Sequence, residues 1–379
     1  MTCPSCAAEV AEGEQYCEAC GAALTATPAA PQPDEPAGDE TPLEPAGEHS
    51  QLEPTTAEPG PETTCHECGG VVAEDGYCTE CGAKARSVRD HFTEQPAPWV
   101  AGVCDRGVRH SRNEDALALD ARPDPGSRAV LVVCDGVSTS TDSDVASLSA
   151  ARAARDVLTR SAGAGIGTAA AKVAAATQAF EAAVDAANDA VIASTTPGPG
   201  NPASCTFVAG VVDASLLVVG WVGDSRAYWL PATGEPRLLT TDDSFAAEQI
   251  AGGMSRADAE NGPQAHAITR WLGCDAPDHT PRTVAVDLDA PGWVLVCSDG
   301  LWNYCSEAKD LAALVLELDH GSDPLALADA LVDWANTQGG VDNITVALAR
   351  IGAAPVGSSL TGQPEPQMKE GTDDGNVLG

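Results

Sequence analysis

The sequence is short of base. Across 379 residues, 20 Lys and Arg stand against 56 Asp and Glu, a formal net charge of −36. Phosphate backbones and anionic lipid surfaces are held by clustered Lys and Arg, so nucleic acid and membrane are excluded as partners. Aromatic residues make up 4%, which leaves Ala, Val and Leu to build the core. No run of about 18 apolar residues is present, so no helix is expected to span a bilayer. The start, Met1-Thr2-Cys3-Pro4-Ser5-Cys6, lacks the basic and apolar regions of a secretory leader. The expected location is therefore cytoplasmic. Disulfides are rare there, so the 14 cysteines point to metal ligands and buried thiols.

What is present is unevenly spread. Residues 1–98 carry 19 acids and 3 bases, a net of −16. Residues 99–351 carry 33 and 16, and residues 352–379 carry 4 and 1. Residues 22–64 hold nine prolines and nine acids, with no Lys, Arg, Val, Ile or aromatic. Such a stretch cannot offset its ordering entropy by burying apolar surface, and it reads as a disordered, extended linker. Residues 84–98 read as a second linker and 352–379 as a disordered tail.

Cysteines flank the acidic linker in a repeated pattern. Cys3-x2-Cys6 is followed by Cys17-x2-Cys20-Gly21, and Cys65-x2-Cys68 by Cys78-x2-Cys81-Gly82. Tyr16 and Tyr77 precede the second pair in each copy. Two Cys-x2-Cys knuckles complete a thiolate tetrahedron, so residues 1–21 and 65–83 each read as a zinc ribbon with one closed, structural Zn2+. Redox dithiols are the weaker reading, since a redox pair normally stands alone after a strand.

From Trp99 the texture changes. Val-rich runs of strand length occur at 99–104, 116–119, 129–134, 206–212, 216–222, 227–230, 283–286, 293–297 and 344–349. Ala-rich stretches at 144–160 and 168–193, with 307–318 and 324–334, predict helices. The order is no regular βαβ alternation and favours an α+β layered domain with antiparallel sheets. Acids recur at strand ends: Asn113-Glu114-Asp115, Cys134-Asp135-Gly136, Gly223-Asp224-Ser225-Arg226, Cys297-Ser298-Asp299-Gly300 and Asp342-Asn343-Ile344-Thr345. Each alone is a plausible turn. Together they would converge carboxylates on one rim, where they repel unless a hard divalent cation neutralises them.

These stretches, with Ser204-Cys205-Thr206, Leu239–Ser244 and Ile268–Gly273, resemble in order the metal-dependent Ser/Thr protein phosphatases of the protein phosphatase 2C-like family across residues 99–351. The resemblance implies an αββα sandwich of two antiparallel sheets flanked by helices, here preceded by two small zinc ribbons. It implies two Mn2+ or Mg2+ ions and a weaker third. Asp135 would bridge two ions. Glu114 and the Gly136 carbonyl would hold the second, with Asp115 close by. Asp299 and Asp342 would hold the first, and Asp224 would share the third with Asp299. A metal-bridging hydroxide would then hydrolyse phosphoserine and phosphothreonine in phosphorylated protein substrates, with a cognate Ser/Thr kinase as counterpart and the ribbons docking partners.

The pattern departs in three places. The phosphate-gripping Arg falls at His110, so Arg109 or Arg112 is expected to replace it. Ser138-Thr139 replace a glycine pair, and no histidine neighbours Asp135 in sequence. The loss at position 110 motivates an alternative, a pseudophosphatase that binds phosphoproteins. Another makes the ribbons the working part and the larger domain their passenger.

Overall fold

The computed structural model describes residues 64–352, apart from 66, 67, 74, 84, 162–167, 197–199, 261, 263, 265, 266 and 319–322. The first expected ribbon (1–21), nearly all of the linker at 22–64, and the tail lie outside the described residues. In chain order the elements are β1 (His91–Ala97), β2 (Val100–Asp105), β3 (Ala116–Ala121), β4 (Arg128–Cys134), α1 (Ser143–Arg160), α2 (Ala169–Ser194), β5 (Ser204–Cys205), β6 (Phe207–Asp213), β7 (Leu216–Val222), β8 (Arg226–Pro231) and β9 (Arg237–Leu238). There follow α3 (Phe245–Ala251), α4 (Arg256–Glu260), β10 (Leu272–Gly273), β11 (Arg282–Asp287), β12 (Gly292–Cys297), α5 (Asp299–Trp302), α6 (Ala308–Leu318), α7 (Pro324–Gln338) and β13 (Ile344–Ile351).

One large sheet runs β1-β2-β13-β12-β8-β9 and the other β11-β7-β6-β4-β3, β5 and β10 form a separate two-stranded sheet, and every pairing is antiparallel. The period of two along each strand explains the packing. On β4, Leu131 and Val133 face the opposite sheet, while Val130, Val132 and Cys134 face α1 and α2. On β12, Val294 and Val296 enter the inter-sheet core, while Leu295 and Cys297 meet α5, α6 and α7. Both faces of the central strands are thus buried, which is why they read as continuous apolar runs. Each buried Val or Leu contributes roughly 1.5–3 kcal/mol. Ala146, Ala150, Ala151 and Ala154 line the buried face of α1, and small side chains there let helix and sheet approach closely.

The helices begin where local chemistry allows. Thr168 caps α2 by accepting from the Ala171 amide, and Asp323 caps α7 by accepting from the Leu325 amide, with Pro324 at the first helical position. One expectation fails. Residues 91–97, read as linker, form β1 at the sheet edge. The strand alternates exposed and half-buried residues, and Pro96 lies within its irregularity between Glu94 and Ala97. Proline is tolerated at such an edge, and the polar pattern hid the strand.

The second cysteine set forms a ribbon. The Cys65 amide donates to the Gly70 carbonyl, and the Gly69 amide to the Cys65 carbonyl. The Cys78 amide donates to Ala83, and Gly82 to Cys78, in the same pattern. Gly69 and Gly82 sit at φ 76° and 74°, which favours glycine at the end of each knuckle. The ligand atoms of Cys65, Cys68, Cys78 and Cys81 all lie within 4.8 Å of one another. The Cys81 and Glu80 amides pull the Cys78 thiol down to about 6, so a thiolate is already favoured there. Four thiols at this spacing fit a closed tetrahedral zinc site. Cys3, Cys6, Cys17 and Cys20 lie outside the described residues.

Candidate active site

The ends of β4, β7 and β12 and the starts of β3 and β13 bring the predicted acids to one rim. Asp135 follows β4. Its amide donates to Thr206 Oγ1 at 3.0 Å, and its carbonyl accepts the Thr206 amide at 2.7 Å. Thr206 Oγ1 also lies 2.8 Å from Ser225 Oγ, which ties Asp135 to the turn bearing Asp224. Asp115 is fully buried. Its Oδ2 accepts from Ser298 Oγ and Thr345 Oγ1, both at 2.7 Å, while its Oδ1 has no hydrogen-bond partner. Asp299 opens the short helix α5 and accepts from Asn303 Nδ2 at 3.0 Å. The Glu114 amide donates to Asn343 Oδ1 at 2.8 Å. Glu114 Oε1 accepts from Ser143 Oγ at 2.5 Å and from Arg112 Nη2 at 2.6 Å. Gly136 donates to the Glu114 carbonyl at 3.1 Å. A Cβ at Gly136 would lie 2.6 Å from that carbonyl oxygen and 2.7 Å from the Ser143 carbonyl oxygen, so only glycine brings the chain this close.

The electrostatics are those of a rim short of positive charge. Burial pushes Asp115 and Asp224 up to about 7. Burial, with the charges of the neighbouring carboxylates, holds Asp135 and Asp299 well above the ordinary range. Ionised carboxylates in this setting need cations, and an all-oxygen donor set with a buried, unpartnered Asp115 oxygen fits hard divalent ions. Among the described residues, only the four ribbon cysteines bring three or more ligand atoms within 4.8 Å of one another. The ligand atoms of the acidic rim stand further apart than that.

The basic residues are placed less simply. Arg112 Nε and Nη2 both bind Glu114, and its side chain stays 46% exposed. Arg109 is exposed and makes no ion pair among the described residues. His110 lies on the rim itself, with Nε2 3.2 Å from Asp342 Oδ1 and Nδ1 3.8 Å from Glu114 Oε2. The resemblance puts His110 at the phosphate-gripping position; its contact with Asp342, far along the chain, was not foreseen.

Sequence reasoning gave Arg226 no role. It is 1% exposed and binds Asp242 at 2.9 and 2.7 Å, Ser306 Oγ at 3.0 Å and Glu260 at 3.1 Å. It also lies 3.6 Å over the Trp302 ring. Asp242 and Glu260 bound the segment carrying α3 and α4, so this cluster pins that segment beside Asp224. Arg226→Met should leave the buried Asp242 without its cation, while Glu260 keeps Arg256 at 2.8 Å, and cost about 3–5 kcal/mol. Denaturant unfolding measures it, and a loss below about 1 kcal/mol would contradict the role.

Four layers around two antiparallel sheets, with a carboxylate rim, define the fold of the PPM-type phosphatases. The chain belongs to the protein phosphatase 2C family: residues 106–336 match the family described as Protein phosphatase 2C, and residues 3–82 match the Double zinc ribbon family. The chain is 35% identical over 150 residues to the serine/threonine phosphatase stp of Listeria innocua, covering 39% of this chain and 57% of that protein. It is 34% identical over 145 residues to the protein phosphatase PhpP of Streptococcus pneumoniae, covering 37% and 55%. The chain thus spans little more than half the length of these relatives. Among solved structures, the serine/threonine phosphatase PstP/Ppp of Mycobacterium tuberculosis superposes with a TM-score of 0.53 at 26% identity, over 66% of this chain and 97% of that one. A PstP catalytic domain in complex with two manganese ions gives 0.50 at 25%, over 67% and 98%.

Proposed function

We propose that this chain is a Mn2+- or Mg2+-dependent protein serine/threonine phosphatase whose zinc ribbons dock partners. The observation that carries the reading is the acidic rim, where burial and mutual repulsion make ionised carboxylates costly without divalent cations. Asp135 would be shared by two ions, with Asp299 and Asp342 on one and Glu114 and the Gly136 carbonyl on the other. Asp115 stands behind Glu114, and Asp224 with Asp299 would take a weaker third ion. Two ions bound there would acidify a shared water and neutralise charge on the reacting phosphoryl group.

The protein's own residues orient this site. Thr206 fixes Asp135 through both backbone groups, Ser298 and Thr345 aim Asp115, and Asn343 fixes the Glu114 backbone. Arg109 and the exposed part of Arg112 flank the rim and supply guanidinium groups for substrate phosphate. Phosphoserine and phosphothreonine proteins are the substrates on this reading, a cognate kinase supplies them, and the cytoplasm is the location. Among the described residues no helix is long and apolar enough to cross a membrane.

The test uses the full zinc-loaded chain on a phosphothreonine peptide and on p-nitrophenyl phosphate. Turnover should require Mn2+ or Mg2+ and stop with excess chelator. Inertness across the metal series, with retained phosphopeptide binding, would favour the phosphoprotein-binding alternative that His110 motivates.

A further inference from the structure

Arg89 lies ahead of the family match, which begins at residue 106, yet it reaches the loop carrying Glu114 and Asp115. Its Nη2 donates to the Asp115 carbonyl at 2.7 Å and lies 3.5 Å from the Asn113 carbonyl. Its own carbonyl accepts from Asn113 Nδ2 at 2.8 Å. Asn113 is 2% exposed, and its Oδ1 accepts the Asp115 amide at 3.1 Å. The Asn113–Asp115 backbone is therefore gripped from two sides, by Asn343 on the Glu114 amide and by Arg89 with Asn113 on the other.

The opposite end of this strap is the zinc ribbon. The Ala85 amide still donates to the ribbon's Gly76 carbonyl at 2.7 Å. Two residues later a tight turn begins: Ser87 and Asp90 exchange hydrogen bonds, and the Arg89 amide donates to Ser87 Oγ at 3.2 Å. Past Arg89, Arg106 donates its amide to the Asp90 carbonyl at 2.7 Å. The Arg89 guanidinium lies 6.0 Å from the Phe92 ring centre.

We propose that Arg89 is a positioning residue for the divalent-cation rim, and that through it the second zinc ribbon is joined to that rim. Arg89 touches no reacting atom. It holds the two carbonyls that bracket Glu114, and so sets where the Glu114 and Asp115 carboxylates point. The inference rests on reading the rim as a cation site. Its sign separates position from field. A guanidinium near a cation site repels cations, so if charge were its only influence, removing it would tighten Mn2+ binding. Loss of position weakens binding instead.

The test is calorimetric titration of Mn2+ into the full zinc-loaded chain, with metal-free melting as a check on the fold. Arg89→Met keeps the stem on Phe92 and removes the donors. It should weaken Mn2+ binding about tenfold, the effect expected for a group that orients a ligand. Arg89→Lys keeps the charge and can reach one carbonyl, so it should fall between wild type and Met. Cys81→Ser, which opens the zinc site, should weaken Mn2+ binding in the wild-type background and add nothing to Arg89→Met. Mn2+ affinity in Arg89→Met equal to or tighter than wild type would overturn the positioning role. An unchanged affinity in Cys81→Ser would overturn the link to the ribbon. Absence of Mn2+ binding in the wild type, matching Asp135→Asn, would sink the cation reading and this inference together.

Discussion

Asp135→Asn should lower metal-dependent turnover by about a thousandfold or more, roughly 4 kcal/mol of transition-state stabilisation. Thr206 holds the backbone of residue 135 at both its amide and its carbonyl, so the amide side chain takes the carboxylate's place without moving the strand. What is lost is charge. On this account an ionised Asp135 is tolerable only while shared by two cations. A neutral amide would bind neither ion well and could not hold both. The substitution also removes a repulsive group from the metal-free rim, so the fold should survive. The expected signature is a metal-free melting temperature at or above wild type, a lost Mn2+-induced rise in melting temperature, and near-absent hydrolysis of p-nitrophenyl phosphate. Retention of a tenth or more of wild-type turnover would contradict it.

The second large effect is the pH dependence of the metal-free protein. Burial raises Asp115 and Asp224 from an ordinary 3.8 to about 7. Between those values the folded state binds more protons than the unfolded state, so stability falls as pH rises. The protonated groups cost nothing extra below about pH 4. Once both are ionised, above pH 7, each costs on the order of 4 kcal/mol. Asp135 and Asp299, also raised, act in the same direction. Metal-free protein should therefore melt higher at pH 5 than at pH 8. Mn2+ should raise the melting temperature strongly at pH 8 and weakly at pH 5, because protons compete for the same oxygens. Asp224→Asn should flatten the metal-free slope. A metal-free melting temperature that rises from pH 5 to pH 8 would count against the site as described.

Much of the fold was legible because its central strands are buried on both faces. Val130 to Cys134 and Val294 to Cys297 read as apolar runs for that reason, and their endings in acid marked the rim. What escaped was whatever depends on long-range placement or on polar edges. The exposed-and-half-buried strand His91–Ala97 resembled a linker. The Asp299 segment, expected as a strand-end turn, opens a short helix. His110 meets Asp342 only through folding, and the pairing of Arg112 with Glu114, two residues on, was not foreseen. Arg89 carried no periodic or motif signal, and Arg226, though inside the Gly223–Arg226 motif, was given no role by it. Their partners, Asp115 and Glu260, come together only in the folded chain. Cys104, Cys134 and Cys297 are buried within the strands, as their apolar neighbours implied.

The central claim is that this rim holds divalent cations against Asp135. The most direct measurement is crystallographic: diffraction from crystals grown in Mn2+, collected at a wavelength where manganese scatters anomalously. The account predicts two strong anomalous peaks sharing Asp135, one against Asp299 and Asp342, the other against the Gly136 carbonyl on the Glu114 side. A saturated crystal with no peak at Asp135, or with manganese bound only elsewhere, would contradict it.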